Sequence, residues 1–277
     1  MLVPEGAYRE ARADVDLAGY IQCVWYRRIG ALEASRPVRV LPDGCIDLLW
    51  VGGELRVAGP DRTAWVGQLA AGTELVGLRF RPGTAPPVLG VPASQIVGAR
   101  LSAVELWGRE ARKLGEPLEG VTSPAAAATA LQQVVRRRLT EASSPDPVVR
   151  EVVRSFQRAP GLRAERVDVL ADRIGIGERQ LHRRCCAALG YGPKTLARIV
   201  RLQRFLDFAR KHESRALAEL AAWSGYADQP HLTRESQRLA GMTPVELVTR
   251  RAHCRRQTRA GRSADYPRYP PAAGSAK

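Results

Sequence analysis

Residues 221–244 read AAWSGYADQPHLTRESQRLAGMTP, and residues 171–193 read ADRIGIGERQLHRRCCAALGYGP. The two stretches share, in the same order, an alanine, an early glycine, a Leu-x-Arg triplet and a final Gly-x-x-Pro. The alanines and the early glycines lie 50 residues apart, whereas the Leu, Arg, second Gly and Pro lie 51 apart. The chain therefore contains a repeated unit, with one residue added between Gly225 and Leu232.

Each copy has the pattern of a helix-turn-helix, in which a glycine separates a short apolar helix from a second, polar helix. In the first copy the glycine is Gly175, and the apolar positions are Val167, Leu170, Ala171 and Ile174. In the second copy the glycine is Gly225, and the apolar positions are Leu217, Leu220, Ala221 and Trp223. The repeat therefore predicts two helix-turn-helix units.

The charge of the chain is concentrated in the half that holds the repeat. The net charge is +15 over 277 residues, of which residues 161–277 carry +12 and residues 1–160 carry +3. Such an excess favours a polyanion as partner, although a merely solvated surface would have the same composition. Together with the repeat, it predicts that the second half binds double-stranded DNA.

The second helix of each unit, residues 178–189 and 228–239, is the predicted recognition helix. Its candidates for base contact are Arg179, His182 and Arg183 in the first unit and Gln229, His231, Thr233 and Arg234 in the second. Arginine pairs with guanine O6 and N7, glutamine with adenine N6 and N7, and the threonine methyl contacts thymine. A phosphate contact that only positions the helix is the alternative for Arg183 and Arg234.

A long amphipathic helix is predicted between the units, over residues 194–210, because apolar residues recur there every three to four positions. It would connect the two units rigidly. The candidates for phosphate contacts in this segment are Lys194, Arg198, Arg201 and Arg204. A solvated helix face is the alternative interpretation of the three arginines.

The sequence from about residue 148 to residue 247 resembles the DNA-binding domain of the AraC/XylS family of transcriptional regulators. The resemblance is carried by Leu181-x-Arg183, Gly190-Tyr191-Gly192-Pro193, Arg201-Leu202, the run 221–235 and Gly241-Met242-Thr243-Pro244. It implies a bipartite domain of seven helices, with two recognition helices that enter successive major-groove segments on one face of DNA. It also implies that the seven candidates named above contact bases.

The chain departs from the family pattern at two core positions. Where the family has an aromatic residue two positions after each arginine, this chain has Cys185 and Ser236. Losing a buried Phe costs roughly 3–5 kcal/mol when it leaves a cavity. We therefore expect a tighter or less stable second unit, in which Pro230 also stands where a further polar contact is expected.

The first hundred residues are predicted to be β-rich, because short apolar or alternating runs are separated by Gly and Pro turns. The runs are residues 37–41, 45–51, 54–58 and 74–80, with Gly52-Gly53 as a hairpin connector. Residues 42–50, 77–83 and 89–93 resemble the uncharacterised N-terminal domain of a subgroup of the same family. That resemblance implies a small module that senses an effector or dimerises.

Charged residues of this β-rich region have two interpretations. Asp43, Asp47 and Asp61 either surround a ligand cavity or serve as turn caps and surface residues. Arg79 and Arg81 are expected on one face of a strand, where they either bind a carboxylate effector or face solvent.

After residue 101 the apolar spacing becomes helical, and Ser123 is the expected N-cap of a helix that begins at Pro124. Helices of this segment either pair between two copies, giving a homodimer, or pack back on the β-rich region. The predicted domains are a β-rich sensor at 1–101, a helical connector at 102–146, the double helix-turn-helix domain at 147–252 and a disordered basic tail at 253–277. The fold class is α+β: a small antiparallel β barrel or sandwich with flanking helices, then an all-α bipartite domain.

No pattern in the sequence predicts an enzyme. No Cys or His cluster has metal-ligand spacing and no glycine-rich phosphate loop precedes a helix, so no catalytic residue, metal or cofactor is expected. The cysteines are interpreted as reduced thiols, and a redox or metal sensor at Cys185–Cys186 is the alternative. Without a signal peptide or an apolar run of membrane-spanning length, the expected location is the cytoplasm, with no membrane contact.

The sequence thus predicts a sequence-specific transcriptional regulator. A small-molecule effector at the N-terminal domain and a contact with RNA polymerase are further expected partners. Two other functions stay open: a DNA-repair or DNA-modifying enzyme with a regulatory domain, and a non-specific architectural DNA-binding protein, which would show a steep salt dependence.

Overall fold

The computed structural model describes residues 8–34, 37–158 and 166–249, so the expected tail at 253–277 lies outside the described residues. The described strands are β1 (Tyr8–Ala11), β2 (Ile21–Arg28), β3 (Val38–Val40), β4 (Asp47–Val51), β5 (Glu54–Ala58), β6 (Trp65–Gly67), β7 (Glu74–Phe80) and β8 (Arg100–Ser102). The described helices are α1 (Ala31–Ala34), α2 (Ala85–Leu89), α3 (Ala103–Trp107), α4 (Glu110–Gly115), α5 (Pro124–Leu139), α6 (Pro147–Arg158), α7 (Val167–Ile174), α8 (Glu178–Leu189), α9 (Pro193–Lys211), α10 (Leu217–Ser224) and α11 (Gln229–Ala240). Residues 244–249 are also helical.

Six strands form one antiparallel sheet in the order β1-β2-β7-β4-β5-β8, and β3 pairs with β6 in a separate ribbon. Successive side chains of a strand point to opposite faces. On one face of the main sheet Tyr26, Leu48 and Leu78 join a core with the helices. On the other face Trp25 and Leu75 pack with residues of the β3–β6 ribbon. The N-terminal part is therefore the antiparallel β fold with flanking helices that the sequence predicts, open at its edge strands β1 and β8.

The predicted hairpin at Gly52-Gly53 is confirmed. Val51 pairs with Glu54 across it, and the two glycines have φ values of 57° and 84°, as a tight two-residue turn requires. Strand β2 is not predicted from the sequence, because its residues are buried on both faces and their polarity does not alternate with period two.

Helix α5 packs on the sheet. Ser123 accepts a hydrogen bond from the Ala126 N–H at 3.2 Å, which confirms the predicted N-cap. The apolar face of α5 lies in the same core as the sheet and consists of Ala127, Ala130, Leu131, Val134 and Val135. Of the two predicted roles for residues 102–146, the packing against the β-rich region is the one observed. We therefore propose that this segment belongs to the N-terminal domain and is not a separate connector.

Helices α6 to α11 share one apolar core. The predicted linker helix is confirmed as α9, whose core residues Leu196, Ile199, Leu202 and Phe205 are fully buried. Trp223 is an exception to the predicted apolar face of α10, because it is 37% exposed and meets Phe208 edge-on at the rim of the core.

The N-terminal domain packs against the end of α8 at Gly190. This glycine has a φ of +85°, and a Cβ placed on it would lie 2.7 Å from Pro60 Cγ and 2.8 Å from Val97 Cγ2. Gly175 ends α7 with a similar φ of +78°, but a Cβ there would meet nothing within 4 Å. The two glycines thus have the same backbone requirement and differ in their contact with the N-terminal domain.

Gly190→Ala is expected to destabilise the protein by about 1–3 kcal/mol more than Gly175→Ala. Both changes impose left-handed backbone strain of about 1–2 kcal/mol, but only Gly190→Ala also forces apart a packed interface. Urea denaturation of both variants measures the difference. Equal losses of stability would show that the interface accommodates the added Cβ at position 190 without a free-energy penalty.

Candidate nucleic-acid interface

Helix α8 turns its three candidate residues outward. Leu181 and Cys185 are fully buried beneath it, whereas Arg179, His182 and Arg183 are exposed. The spacing i, i+3 and i+4 places those three on one helix face. Among the described residues, neither Arg179 nor Arg183 has a hydrogen bond or ion pair made by its side chain, so both guanidinium groups are available to a ligand.

The imidazole of His182 is held in place at the base of this face. Its Nδ1 lies 3.6 Å from Cys186 Sγ, and a Cβ on Gly192 would come within 2.5 Å of its Cδ2. A glycine at position 192 therefore makes room for the ring. The residue remains exposed and keeps its place beside Arg179 and Arg183.

Arg184, which was not among the predicted site residues, anchors α8 to α6. Its Nε and Nη2 donate to the two carboxylate oxygens of Asp146 at 2.7 and 2.8 Å, and Asp146 also accepts from the N–H groups of Val148 and Val149. Burial opposes ionisation of Asp146, but the Arg184 guanidinium and these N–H groups outweigh it and hold the pKa of that carboxyl below its usual value. A bidentate, charge-assisted contact of this kind fixes the orientation of the recognition helix.

Burial of Cys185 weakens the sensor alternative at Cys185–Cys186. The side chain is fully buried, and burial raises the pKa of its thiol to about 12. Thiolates, not thiols, react with oxidants and soft metals. At neutral pH Cys185 therefore behaves as a small apolar core residue.

Helix α11 begins at Gln229, one residue after the predicted start. The Asp228 carboxylate accepts a hydrogen bond from the His231 N–H at 2.6 Å and caps the helix. Gln229 and Arg234 are exposed, and within the described residues the Arg234 side chain has no ion pair or hydrogen bond. Arg234 thus presents a free guanidinium in the second unit, as Arg183 does in the first.

Two other candidates on α11 are engaged within the protein. His231 Nδ1 accepts from the Ala227 N–H at 3.3 Å, and its ring meets Tyr226 edge-on at 5.3 Å. The Thr233 hydroxyl donates to the Gln229 carbonyl at 3.0 Å, which leaves its methyl group for a thymine contact. His231 therefore stabilises the turn in addition to any contact with DNA.

Glu235 connects α11 to α9. Its side chain is 11% exposed and lies 3.1 Å from Arg198 Nε and 3.5 Å from Arg201 Nη1. It is the one acidic residue in α11. A single acidic residue in a polar helix is the sequence signal that could have predicted its pairing with a neighbouring helix. The carboxylate holds the second recognition helix against the linker helix.

The four predicted phosphate contacts fall into two groups. Lys194 is exposed, and Arg198 keeps 40% of its side chain exposed although its Nε lies 3.1 Å from Glu235, so both can reach a phosphate. Arg201 is paired with Glu235 and lies over the Tyr226 ring, and Arg204 donates to the Phe156 carbonyl at 2.9 Å. Both of these arginines are used inside the domain, because the side of α9 that carries them packs against neighbouring helices.

Ser236 stands where the family resemblance implies a buried ring, and it is fully buried. Its Oγ has no hydrogen-bond partner within the described part of the chain. Ser224 is an equally buried serine of the same unit, but its Oγ donates to the Leu220 carbonyl at 2.6 Å. The pair allows an unsatisfied hydroxyl to be compared with a satisfied one.

Ser236→Ala is expected to raise the free energy of unfolding by about 1 kcal/mol, because it removes a buried polar group without a partner. Ser224→Ala should instead leave stability unchanged or lower it by up to about 1 kcal/mol, since it removes a made hydrogen bond. Denaturant unfolding of both variants is the measurement. A loss of stability in Ser236→Ala would mean that its hydroxyl has a partner.

No described helix is both long enough and apolar enough to cross a membrane. Over the same residues, no group of three or more His, Cys, Asp or Glu side chains has the arrangement of a metal site.

Two family models match separate parts of the chain. Residues 9–102 match a domain of unknown function (DUF6597), and residues 170–250 match a helix-turn-helix domain that contains α8 and α11. The chain carries an AraC-type helix-turn-helix domain. Its general function is therefore that of a DNA-binding transcription regulator, and regulators of this type are generally not enzymes.

Solved structures of other proteins are also similar to parts of this chain. The C-terminal domain of AraT, a response regulator from Geobacillus stearothermophilus, is 16% identical, with a TM-score of 0.35 over 45% of this chain and 93% of that one. ToxT from Vibrio cholerae O395 is 10% identical, with a TM-score of 0.45 over 82% of this chain and 95% of that one. Unsaturated fatty acid-bound ToxT from strain SCE256 is 9% identical, with a TM-score of 0.42 over 77% of this chain and 93% of that one. No curated protein sequence matches the chain.

Proposed function

We propose that this AraC-type regulator binds DNA sequence-specifically, with α8 and α11 reading adjacent major-groove segments. The observation that supports the proposal is the pair of exposed guanidinium groups at matching places in the repeat, Arg183 and Arg234, without partners among the described residues. An arginine on the exposed face of a recognition helix can pair with guanine O6 and N7. Gln229, Arg179, His182, His231 and Thr233 complete the proposed contact set.

Lys194 and Arg198 are proposed as phosphate contacts beside these helices, because they remain exposed on α9. Such contacts set the register on the duplex without reading sequence. Arg201 and Arg204 contact phosphates only if their contacts within the domain break. We propose that the protein acts in the cytoplasm, where it regulates transcription from the DNA that it binds.

Selection of duplexes from a random pool by the full-length protein, followed by mobility-shift titration, tests the proposal. We expect enrichment of one bipartite site. Binding that depends steeply on salt and enriches no sequence would indicate the architectural alternative. A chemically altered duplex after incubation would indicate the DNA-modifying enzyme.

Control by an effector is proposed for the N-terminal domain. An open cavity of about 430 Å³ lies between the β4–β5 hairpin, the β6–β7 loop and the start of α5. Its wall combines apolar and polar side chains, among them Trp50, Val76, Val121, Glu74 and Ser123. Pockets of this size hold small molecules, and a thermal-shift screen compared with Trp50→Ala would test occupancy. The homodimer and the RNA polymerase contact stay predictions from the sequence.

A further inference from the structure

Two arginines of the N-terminal domain each contact the C-terminal end of a recognition helix. Arg62 Nη2 donates to the Gly190 carbonyl at 3.0 Å, directly after α8. Arg39 Nη1 donates to the Ala240 carbonyl at 2.8 Å, at the last residue of α11. The two helix-turn-helix units are therefore held by equivalent contacts from one domain.

A cation is well suited to these places. The last carbonyls of a helix lack intrahelical partners, and the helix dipole places partial negative charge there. Gly190 and Gly241 both follow their helices in the left-handed conformation, which directs the chain away from the helix end. Arg62 and Arg39 thus satisfy helix ends that need donors.

Further contacts from the same part of the N-terminal domain reinforce the pair. The Ala64 N–H donates to the Leu239 carbonyl of α11 at 2.7 Å, and Gln203 of α9 donates to the Pro42 carbonyl at 2.7 Å. Pro60 lies against Gly190. Residues 39–42 and 60–64 consequently contact both recognition helices and the linker helix.

This part of the N-terminal domain is itself anchored. Arg39 lies on β3 and pairs with Val66 of β6. Asp61 receives a bidentate contact from Arg100 of β8, at 2.6 and 3.2 Å. A segment tied to two sheets can transmit the position of one helix end to the other.

We propose that the N-terminal domain is a brace that sets the relative position of α8 and α11, and thereby the spacing of the two half-sites that the protein accepts. Arg39 and Arg62 are its positioning residues, and this inference rests on the proposed function. The contacts lie at the C-terminal ends of the helices, while Arg183 and Arg234 stay exposed. The brace is therefore compatible with binding to DNA.

Mobility shifts with the full-length protein test the brace. The duplexes are the selected site, the same site with one base pair inserted between its halves, and a single half-site. One inserted base pair rotates the halves by roughly 35° about the DNA axis, since B-DNA has about 10–10.5 base pairs per turn. Wild type should bind the inserted duplex at least about tenfold more weakly than the selected site, a change of about 1.4 kcal/mol.

The Arg39→Ala/Arg62→Ala variant should lose most of that discrimination, bind the selected site about tenfold more weakly and keep its half-site affinity. Arg9→Ala/Arg12→Ala removes the same charge from exposed positions of the N-terminal domain and should discriminate as wild type does. Unchanged half-site binding shows that the variant is folded.

Three outcomes would overturn the brace: wild type indifferent to the insertion, equal discrimination in the two double variants, or loss of half-site binding together with full-site binding. None of these outcomes contradicts the proposed function. That proposal fails only if the wild-type protein enriches no sequence in the selection from the random pool.

Discussion

Replacing Arg183 and Arg234 together with alanine should abolish the sequence preference of the protein for its selected site. Both guanidinium groups are exposed and, among the described residues, unpaired, so neither substitution breaks an internal contact. A bidentate arginine–guanine contact is worth about 1–3 kcal/mol of discrimination, and each single change should relax specificity at one position. The double variant should retain only the weak, salt-sensitive binding that phosphate contacts supply.

Arg154→Ala/Arg173→Ala is the matched control. These arginines lie on α6 and α7 of the same domain and pair with Glu151 at 2.7 and 3.2 Å. Their replacement removes two positive charges at a distance from the recognition helices. Their loss should lower affinity for all sequences alike. A control that relaxes specificity as much as the Arg183/Arg234 variant would exclude direct base reading by that pair.

The two single variants should differ. Because the second unit has Ser236 in place of a core aromatic, we expect the first unit to bind more firmly and Arg183→Ala to cost more affinity than Arg234→Ala. Equal losses in mobility-shift titrations would contradict this inequality.

Arg79→Ala is expected to have the largest effect on stability, a loss of about 3–5 kcal/mol, because it leaves carboxylates buried without their cation. Arg79 is 8% exposed at its side chain, donates to both Asp47 oxygens at 3.1 and 3.2 Å and lies 3.4 Å from Asp43. Arg56, which pairs with Glu54 on the surface of the same domain, is the control, and Arg56→Ala should cost at most about 1 kcal/mol.

The pH dependence of the Arg79→Ala variant provides a second measurement. Burial already raises the pKa of Asp47, and the Arg79 charge opposes that rise. Without Arg79 the folded-state pKa of Asp47 rises further above its unfolded value, so stability is retained at acidic pH and lost as pH rises through the folded pKa. The variant should therefore lose less stability relative to wild type at about pH 5 than at about pH 8, and adding Asp47→Asn should restore part of it. A stability deficit independent of pH would mean that Asp47 is not left charged.

The environment of Arg79 differs from the one that its local spacing predicts. Its spacing from Arg81 predicted a shared strand face, with solvent as the simpler environment, but β7 ends at Phe80. Arg81 lies beyond the strand and donates to the Ala18 carbonyl, while Arg79 is buried against Asp47. The partner lies on β4, and strand order within a sheet is not encoded in the period of either strand.

The recognition helices, in contrast, could be predicted because their ends and faces depend on residues that are close together in the chain. Their ends depend on local signals, namely Gly190, Asp228 and Gly241, whose effects extend over a few residues of the chain. Their inward and outward faces follow from helical spacing alone.

The sequence by itself determined that this chain has two helix-turn-helix units, a β-rich N-terminal part and a basic half that suits DNA, because caps, periodicity and charge act locally or as sums. Only the tertiary structure decided which charged residues remain free. Arg201 is paired with Glu235, and Arg204 turns inward to Phe156, whereas Arg198 keeps 40% of its side chain exposed beside the same carboxylate. The contact of Arg39 with Ala240 joins residues 201 positions apart, and a contact of that range depends on how the two domains pack.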